Sequence, residues 1–173
     1  MIIGKPFLSA EQIQDKVTEL ANKISNDYIG KEVVAVGILK GAIMFFSDII
    51  RSIQVPVTID FIVASSYLKT MSTGEIKIHY DIREDIRGKH VLLIDDIIDT
   101  GISLNYIRER ILSMGAESLK ICVLLDKKER REVDVPVDYI GFEVPNKFLV
   151  GYGLDYDNKY RNLPYIAIFK KER

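Results

Sequence analysis

The sequence has few of the features that mark specialised classes of protein. Its 173 residues include a single cysteine, Cys122. One cysteine cannot form a disulfide within the chain, so we expect a reducing compartment. Lysine and arginine number 24 and aspartate and glutamate 25, which gives a formal net charge of -1. That balance argues against a general binder of nucleic acid or of anionic membranes.

Long apolar runs are also missing. No apolar stretch approaches the roughly 20 residues that a membrane-spanning helix needs. The first residues, Met1 to Pro6, do not show the charged-then-apolar order of a secretory signal. We therefore expect a cytoplasmic protein without a membrane partner. The absence of Walker A and G-x-G-x-x-G patterns counts against P-loop and dinucleotide-binding folds.

What the sequence does contain is an alternation of amphipathic and apolar runs. Ser9 and Gln12 have the spacing of a capping box, and the apolar residues that follow lie on one helical face. Further segments are predicted as helices at 42–53 and 102–114, and as strands at 33–39, 56–63, 91–95 and 119–125. Strands that alternate with helices predict an α/β fold with a central parallel sheet flanked by helices.

Two regions depart from this alternation. Residues 64–75 are polar and rich in serine, threonine and glycine, which predicts a long mobile loop. From residue 135 onward the pattern changes to short strands, glycine turns and many aromatic residues. We expect one domain over residues 1–173, with a core at about 30–130 and a small hood subdomain formed mainly by 135–173 with the N-terminus.

The stretch from Val91 to Ser103 carries the chemistry. Four apolar residues lead to the carboxyl end of a central strand, where ligand sites of α/β proteins are found. Asp95 and Asp96 follow directly. Adjacent carboxylates repel each other unless a cation or hydroxyl donors accompany them, and a sugar diol with Mg²⁺ would supply both.

A turn that opens a helix comes next, with the sequence Asp99-Thr100-Gly101-Ile102-Ser103. Backbone N–H groups and two hydroxyls there would converge on an anion at the helix N-terminus. An ordinary helix cap explains one or two of these residues, but not three carboxylates and two hydroxyls within nine positions. A ribose 5-phosphate has its phosphate and its diol at a suitable separation for this stretch.

This stretch resembles the phosphoribosyl pyrophosphate (PRPP) motif of the type I phosphoribosyltransferases. Further stretches are similar to the hypoxanthine-guanine branch of that family and occur in the same order. They are Gly37 to Gly41, Asp60 to Ile62, Ser65 to Tyr67, Ser72 to Gly74, Leu125 to Lys127, and Pro145 to Asp155 with Arg161. The resemblance implies the type I fold with a hood, and a purine salvage transferase that converts hypoxanthine or guanine with PRPP to IMP or GMP and pyrophosphate.

The resemblance also implies a role for individual residues. Asp99 would be the catalytic group that handles a purine proton, and Ser66 and Tyr67 would belong to a flexible loop that closes over PRPP. Asp95, Asp96 and Asp155 would help to place Mg²⁺. The residues expected to bind PRPP are Lys40, Gly41, Asp95, Asp96, Thr100, Gly101, Ile102, Ser103 and Arg161. Those expected to bind the purine are Lys127, Lys147, Phe148, Leu149 and Asp155.

Four matters stay open at this point. Asp95 stands where the hypoxanthine-guanine branch commonly has glutamate, and an Asp-Asp pair also occurs in xanthine-guanine relatives, so a xanthine-preferring enzyme is an alternative. A non-catalytic RNA-binding regulator of the same fold is another, because fold does not decide function. The family suggests a homodimer or homotetramer and a cis peptide before Lys40, and no residue pattern here proves either.

Overall fold

The computed structural model describes residues 2–67 and 75–170 as a chain of alternating strands and helices. The strands in chain order are β1 (Ile2–Leu8), β2 (Val33–Leu39), β3 (Val57–Tyr67), β4 (Glu75–Tyr80), β5 (His90–Ile98), β6 (Ser118–Asp126), β7 (Tyr139–Glu143), β8 (Leu149–Val150) and β9 (Ile166–Lys170). The α-helices are α1 (Ala10–Asp27), α2 (Ile43–Ser52) and α3 (Ile102–Ser113), and a 3-10 turn covers Lys128–Arg130.

The main sheet has six strands in the order β4-β3-β2-β5-β6-β7. All neighbouring pairs are parallel except β3 with β4, which are antiparallel. The carboxyl ends of the parallel strands therefore meet at one edge, as expected for a site-bearing edge of an α/β sheet. A second, antiparallel sheet has the order β1-β9-β8. The predicted α/β class with a central parallel sheet is confirmed.

Apolar clusters cover both faces of the main sheet. One contains the buried faces of α1 and α2, and the other contains Leu104, Ile107 and Ile111 of α3. The predicted capping box at the start of α1 is present, since the Gln12 amide donates to Ser9 Oγ at 3.1 Å and the Ser9 amide donates to Gln12 Oε1 at 2.9 Å. Burial of both faces explains why the central strands have continuous apolar sequences.

The prediction of a loop over residues 64–75 is wrong at both ends, where the chain forms strands. β3 continues to Tyr67, and β4 begins at Glu75, with Ser65 opposite Lys77 and Ser66 opposite Ile76. Polar side chains suit this pair because it lies at the edge of the sheet, where backbone hydrogen bonds rather than apolar burial hold the strands. Residues 68–74, which include the Ser72 to Gly74 match, lie outside the described residues.

The end of the chain contributes to both sheets. β7 pairs in parallel with β6, so the main sheet extends past the expected limit of about residue 130. β8 and β9 pair with each other, and β9 also pairs with β1. Of the helices in the described ranges, none is both long and apolar enough to cross a membrane.

Candidate active site

Two neighbouring carboxylates at the end of β5, those of Asp95 and Asp96, face different cavities. Successive side chains of a strand lie on opposite faces, so Asp95 and Asp96 diverge although they are adjacent. Asp95 lines one cavity, of about 160 Å³, and Asp96 lines another, of about 170 Å³. The Asp96 amide donates to Asp95 Oδ1 at 2.9 Å, and the Ile97 amide donates to Asp96 Oδ1 at 2.8 Å.

Both carboxyl groups hold their protons more strongly than ordinary aspartates do. Burial, and then the negative charge of Asp96, raise the pKa of Asp95 well above its ordinary value. Burial also raises the pKa of Asp96, and the positive charge of Arg161 partly opposes that rise. A cation or hydroxyl donors would stabilise the ionised form of this pair.

We call the first space the turn cavity, because the turn between β5 and α3 forms most of its wall. It is lined by Asp95, Ile97, Ile98, Asp99, Thr100, Gly101, Ser103 and Leu104. Gly101 has φ +86°, and a Cβ there would lie 2.5 Å from Val133 O. Glycine is required both for this left-handed conformation and for the close approach of the two backbone segments.

The start of α3 is open to the turn cavity. No side chain caps the helix at Gly101, while the Ile102 amide donates to Thr100 Oγ1 at 3.3 Å. Asp99 does not act as an N-cap, since its carboxylate accepts a hydrogen bond from Arg130 Nε at 2.7 Å. A helix start without a side-chain cap, with the Thr100 and Ser103 hydroxyls beside it, forms a suitable anion site.

We call the second space the tail cavity, because residues from the last part of the chain form half of its wall. It is lined by Asp96, Ile97, Asp99, Lys127, Phe148, Leu149, Leu154, Asp155 and Arg161. Ile97 and Asp99 line both cavities, so the two spaces adjoin along these side chains. The structure thus brings most of the predicted site residues together at the carboxyl edge of the sheet.

Lys127 and Phe148 give the tail cavity a cation and an aromatic face. Lys127 is only 9% exposed, and among residues 2–67 and 75–170 its ammonium has no hydrogen-bonded acceptor or ion pair. Phe148 is 52% exposed, and its ring centroid lies 5.8 Å from those of Tyr156 and Phe169 in edge-to-face contacts. An unpaired donor on a mostly buried lysine and an exposed ring held by its aromatic neighbours suit a planar ligand with an acceptor atom.

Arg161 is fixed by the turn that carries Asp155. Its Nη1 donates to Gly153 O at 2.6 Å, and its Nη2 lies 3.2 Å from Asp155 Oδ1. The Asn158 amide donates to the other Asp155 oxygen at 2.7 Å. These contacts hold one cation and one carboxylate in the wall of the tail cavity.

Lys40 and Gly41 adjoin the site without lining either cavity. The Leu39-Lys40 peptide is cis, as the family resemblance implies. A Cβ on Gly41 would collide with the Asp96 carboxylate, and a Cβ on Gly153 would collide with Gly41 O. Glycine at both positions allows the loop after β2 to pack directly against Asp96.

Other predicted residues stand apart from the two cavities. Ile102 has an exposed side chain and lines neither cavity. Lys147 is exposed, and its amide donates to Pro145 O at 2.7 Å. Ser66 and Tyr67 lie in the last part of β3, paired with β4, rather than in a loop.

The structure adds site residues that sequence reasoning missed. Ile97 and Leu154 give the tail cavity apolar walls, and Ile97 was hidden inside the acidic motif as an apparent core residue. Arg130 and Arg131, in the mixed-charge run that follows β6, form ion pairs that the sequence does not reveal. Arg130 binds the Asp99 carboxylate, and Arg131 binds the buried Asp126. Nothing in their spacing distinguishes them from surface charges.

The carboxylates fit a magnesium site that substrate oxygens complete. Among the described residues, no three histidine, cysteine or acidic side chains cluster closely enough to hold a metal alone. Mg²⁺ is usually held by one or two carboxylates together with waters and substrate phosphates, not by a protein cage. Asp96 and Asp155 line the same cavity, which suits that mode of binding, while Asp95 lines the adjoining cavity.

Comparisons with known proteins agree with this geometry. The family model of the phosphoribosyl transferase domain matches residues 7–157. The chain belongs to the phosphoribosyltransferase family. It is 49% identical over 159 residues to the hypoxanthine phosphoribosyltransferase of Salmonella typhimurium, covering 90% of this chain and 89% of that protein. It is 46% identical to the hypoxanthine-guanine phosphoribosyltransferase of Streptococcus thermophilus, covering 98% and 95% of the two chains.

A solved structure supports the same assignment. The hypoxanthine-guanine phosphoribosyltransferase of Bacillus anthracis, with HEPES in its active site, superposes with a TM-score of 0.94 at 46% identity. The match covers 98% of this chain and 100% of that one. The predicted family, the predicted fold and the prediction of a transferase enzyme are confirmed.

Proposed function

We propose that this phosphoribosyltransferase transfers the phosphoribosyl group of PRPP to hypoxanthine or guanine, giving IMP or GMP and pyrophosphate. The observation that carries the proposal is the pair of adjoining cavities that share Asp99. One cavity would offer hydroxyls and the amides of a helix start to a phosphate, and the other would offer a ring and an ammonium to a purine. The names of the two relatives described above support these bases, since both include hypoxanthine and one includes guanine.

The turn cavity accounts for the phosphorylated sugar. The Thr100 and Ser103 hydroxyls and the backbone of Gly101 and Ile102 would bind the 5'-phosphate, since partial positive charge gathers at a helix N-terminus. The carboxylates of Asp95 and Asp96 would accept hydrogen bonds from the ribose hydroxyls. Those bonds favour the ionised carboxylates, whose pKa values are otherwise raised by burial.

The tail cavity accounts for the base. Phe148 would stack on the purine, and backbone groups of Leu149 and Lys147 would contact its edge. Lys127 would donate to the 6-oxo oxygen, which would give the ammonium of this mostly buried residue an acceptor. Adenine presents an amino group at this position, so two donors would face each other without an acceptor, and such a pairing is costly.

The reaction follows from the position of Asp99 between the cavities. A bond forms between a purine nitrogen and the anomeric carbon while the bond from that carbon to pyrophosphate breaks. The purine loses a proton, which Asp99 would accept or stabilise. Arg161, with Lys40 and Gly41, would bind the departing pyrophosphate. Ser66 and Tyr67 would help to exclude water, which otherwise competes for the activated sugar.

We further propose that Mg²⁺ is required and is held by Asp95, Asp96 and Asp155 together with PRPP oxygens. When bound, the ion neutralises charge on the pyrophosphate leaving group. The expectations of a cytoplasmic homodimer or homotetramer stay proposals as well. Size-exclusion chromatography with light scattering would distinguish the two assemblies.

A panel of four bases tests the function. The protein is incubated with PRPP, Mg²⁺ and hypoxanthine, guanine, xanthine or adenine, and nucleotide formation is followed. We expect turnover with hypoxanthine or guanine, and at most trace turnover with adenine. Preference for xanthine would support the alternative specificity, and no turnover with any of the four bases would contradict the proposal.

A further inference from the structure

The turn between β5 and α3 is held from behind by the segment that follows β6. Three successive carbonyl groups of the turn accept hydrogen bonds from that segment. Ile98 O accepts from the Lys127 amide at 3.0 Å. Thr100 O accepts from two amides, those of Glu132 at 2.9 Å and Val133 at 3.0 Å. The carbonyl between them, Asp99 O, accepts from the side chain of Arg131, whose Nε lies 3.2 Å away.

These contacts set the direction of the turn amides. In a trans peptide the C=O and the following N–H point in opposite directions. The carbonyls of Asp99 and Thr100 point toward the segment after β6, so the amides of Thr100 and Gly101 point the other way. Both residues line the turn cavity, whereas no residue of the segment after β6 does, so we place the cavity on that opposite side. The segment behind the turn therefore orients the amides that face the cavity.

Arg131 is itself anchored in the core. Its Nη2 donates to Asp126 Oδ1 at the end of β6, and the Asp126 side chain is 3% exposed. The arginine side chain also packs beneath the turn, where its Cδ lies 3.0 Å from an ideal Cβ position on Gly101. One guanidinium thus joins a buried carboxylate to a turn carbonyl, a pairing that its planar set of donors suits.

We propose that Arg131 is a positioning residue for the anion-binding turn. By fixing the Asp99 carbonyl to Asp126, it keeps the Thr100 amide directed at the 5'-phosphate, a role that rests on the proposed function of the turn. Its neighbour Arg130 acts differently, because Arg130 contacts the Asp99 carboxylate and not its carbonyl. Arg131 touches no substrate and acts only through the backbone.

The test compares two anions that would bind in different places. Dissociation constants of IMP and of pyrophosphate are measured by calorimetry for the wild-type protein, Arg131→Gln and Arg131→Lys. We expect Arg131→Gln to weaken IMP about tenfold, equivalent to about 1.4 kcal/mol, and to change pyrophosphate affinity less than about twofold. Lysine keeps the charge but cannot reproduce the planar set of donors of arginine. The dissociation constant of Arg131→Lys for IMP should therefore lie between those of the wild-type protein and Arg131→Gln.

Arg110→Gln is the matched control. It removes another arginine–aspartate pair, with Asp81, on the far part of α3 and away from both cavities. We expect it to leave both affinities unchanged. If Arg131→Gln does not fold, judged by circular dichroism, the lysine variant carries the comparison.

Equal weakening of IMP and pyrophosphate would indicate general damage and would overturn the proposal. Unchanged IMP affinity in both Arg131 variants would also overturn it. Failure of the wild-type protein to bind IMP would contradict the proposed function itself. That outcome can be told apart from the two results above, which concern only the role of Arg131.

Discussion

The turn cavity and the tail cavity are similar in volume, but the chain builds them differently. The turn cavity takes its eight lining residues from one stretch, 95–104. The tail cavity draws on four separate parts of the chain, at 96–99, 127, 148–149 and 154–161. A local cavity is fixed mainly by backbone conformation, whereas an assembled one depends on how distant segments pack. Substitutions should therefore separate sugar-phosphate binding from base binding.

The largest effect is expected at Asp99, which belongs to both cavities. Asp99→Asn removes the carboxylate that would take the purine proton, and general acid–base groups typically contribute about 10²–10⁴-fold to rate. We expect kcat to fall at least about a hundredfold, with the KM for PRPP changed much less. Steady-state kinetics would measure both. The control is Asp134→Asn, since Asp134 is exposed and has no ion pair in the described part of the chain, and this variant should keep the wild-type rate. An unchanged rate in Asp99→Asn would contradict the proposed role of Asp99 in accepting the purine proton.

Gly101→Ala should damage the turn cavity alone. A left-handed conformation costs a residue with a side chain about 1–2 kcal/mol, and the new methyl group would also press on Val133 O. We expect the KM for PRPP to rise about tenfold or more, with a lower melting temperature and little change in the KM of the base. Gly4→Ala is a suitable control because the nearest atom to its Cβ is 3.9 Å away. An equal rise in the KM for PRPP and in the KM for the base would contradict the assignment of separate binding sites to the two cavities.

Phe148→Ala should affect binding of the base and not of PRPP, the opposite of Gly101→Ala. Removal of an aromatic partner costs about 0.5–1.5 kcal/mol beyond burial, so the KM for hypoxanthine should rise about threefold to tenfold. The KM for PRPP and the melting temperature should stay near wild type, because half of the ring is exposed. Ile29→Ala, which alters a more exposed apolar side chain outside both cavities, serves as the control. A loss confined to PRPP would contradict the role of Phe148.

The smallest effect concerns stability outside both cavities. The hydrogen bond from Arg110 lowers the pKa of Asp81 below its ordinary value. A lowered pKa in the folded state means that the pair stabilises the protein above the ordinary pKa and that this contribution is lost as the pH falls through the lowered value. Arg110→Gln should therefore cost a few tenths of a kcal/mol at pH 7, and less below about pH 4. Urea unfolding across this pH range would test it, and a difference that grows in acid would contradict the assignment.

The same contrast explains how much the sequence could predict. The turn cavity was predictable because its residues are contiguous and the polarity of β5 changes abruptly at Asp95. The helices and central strands were predictable from the capping box and from apolar runs, since both local signals agree with the tertiary structure.

The tail cavity was predictable only through family resemblance. In the sequence, Lys127 and Arg161 look like surface charges. Only the folded structure shows that Lys127 is mostly buried and that Arg161 is held by Gly153 and Asp155. Arg131 was missed for a related reason, since its partners are a buried carboxylate and a backbone carbonyl. β4 was missed because an edge strand lacks the apolar pattern of a buried one. Long-range packing, which decides all of these, leaves no local pattern.

A crystal structure with bound IMP would test the account most directly. We expect the 5'-phosphate at the amides and hydroxyls of residues 100–103 and the base against Phe148, with its 6-oxo oxygen at the Lys127 ammonium. Asp99 should lie beside the bond that joins base and sugar. A nucleotide that binds with its phosphate away from the turn, or with its base outside the tail cavity, would contradict the central claim that two adjoining cavities bring sugar and purine together.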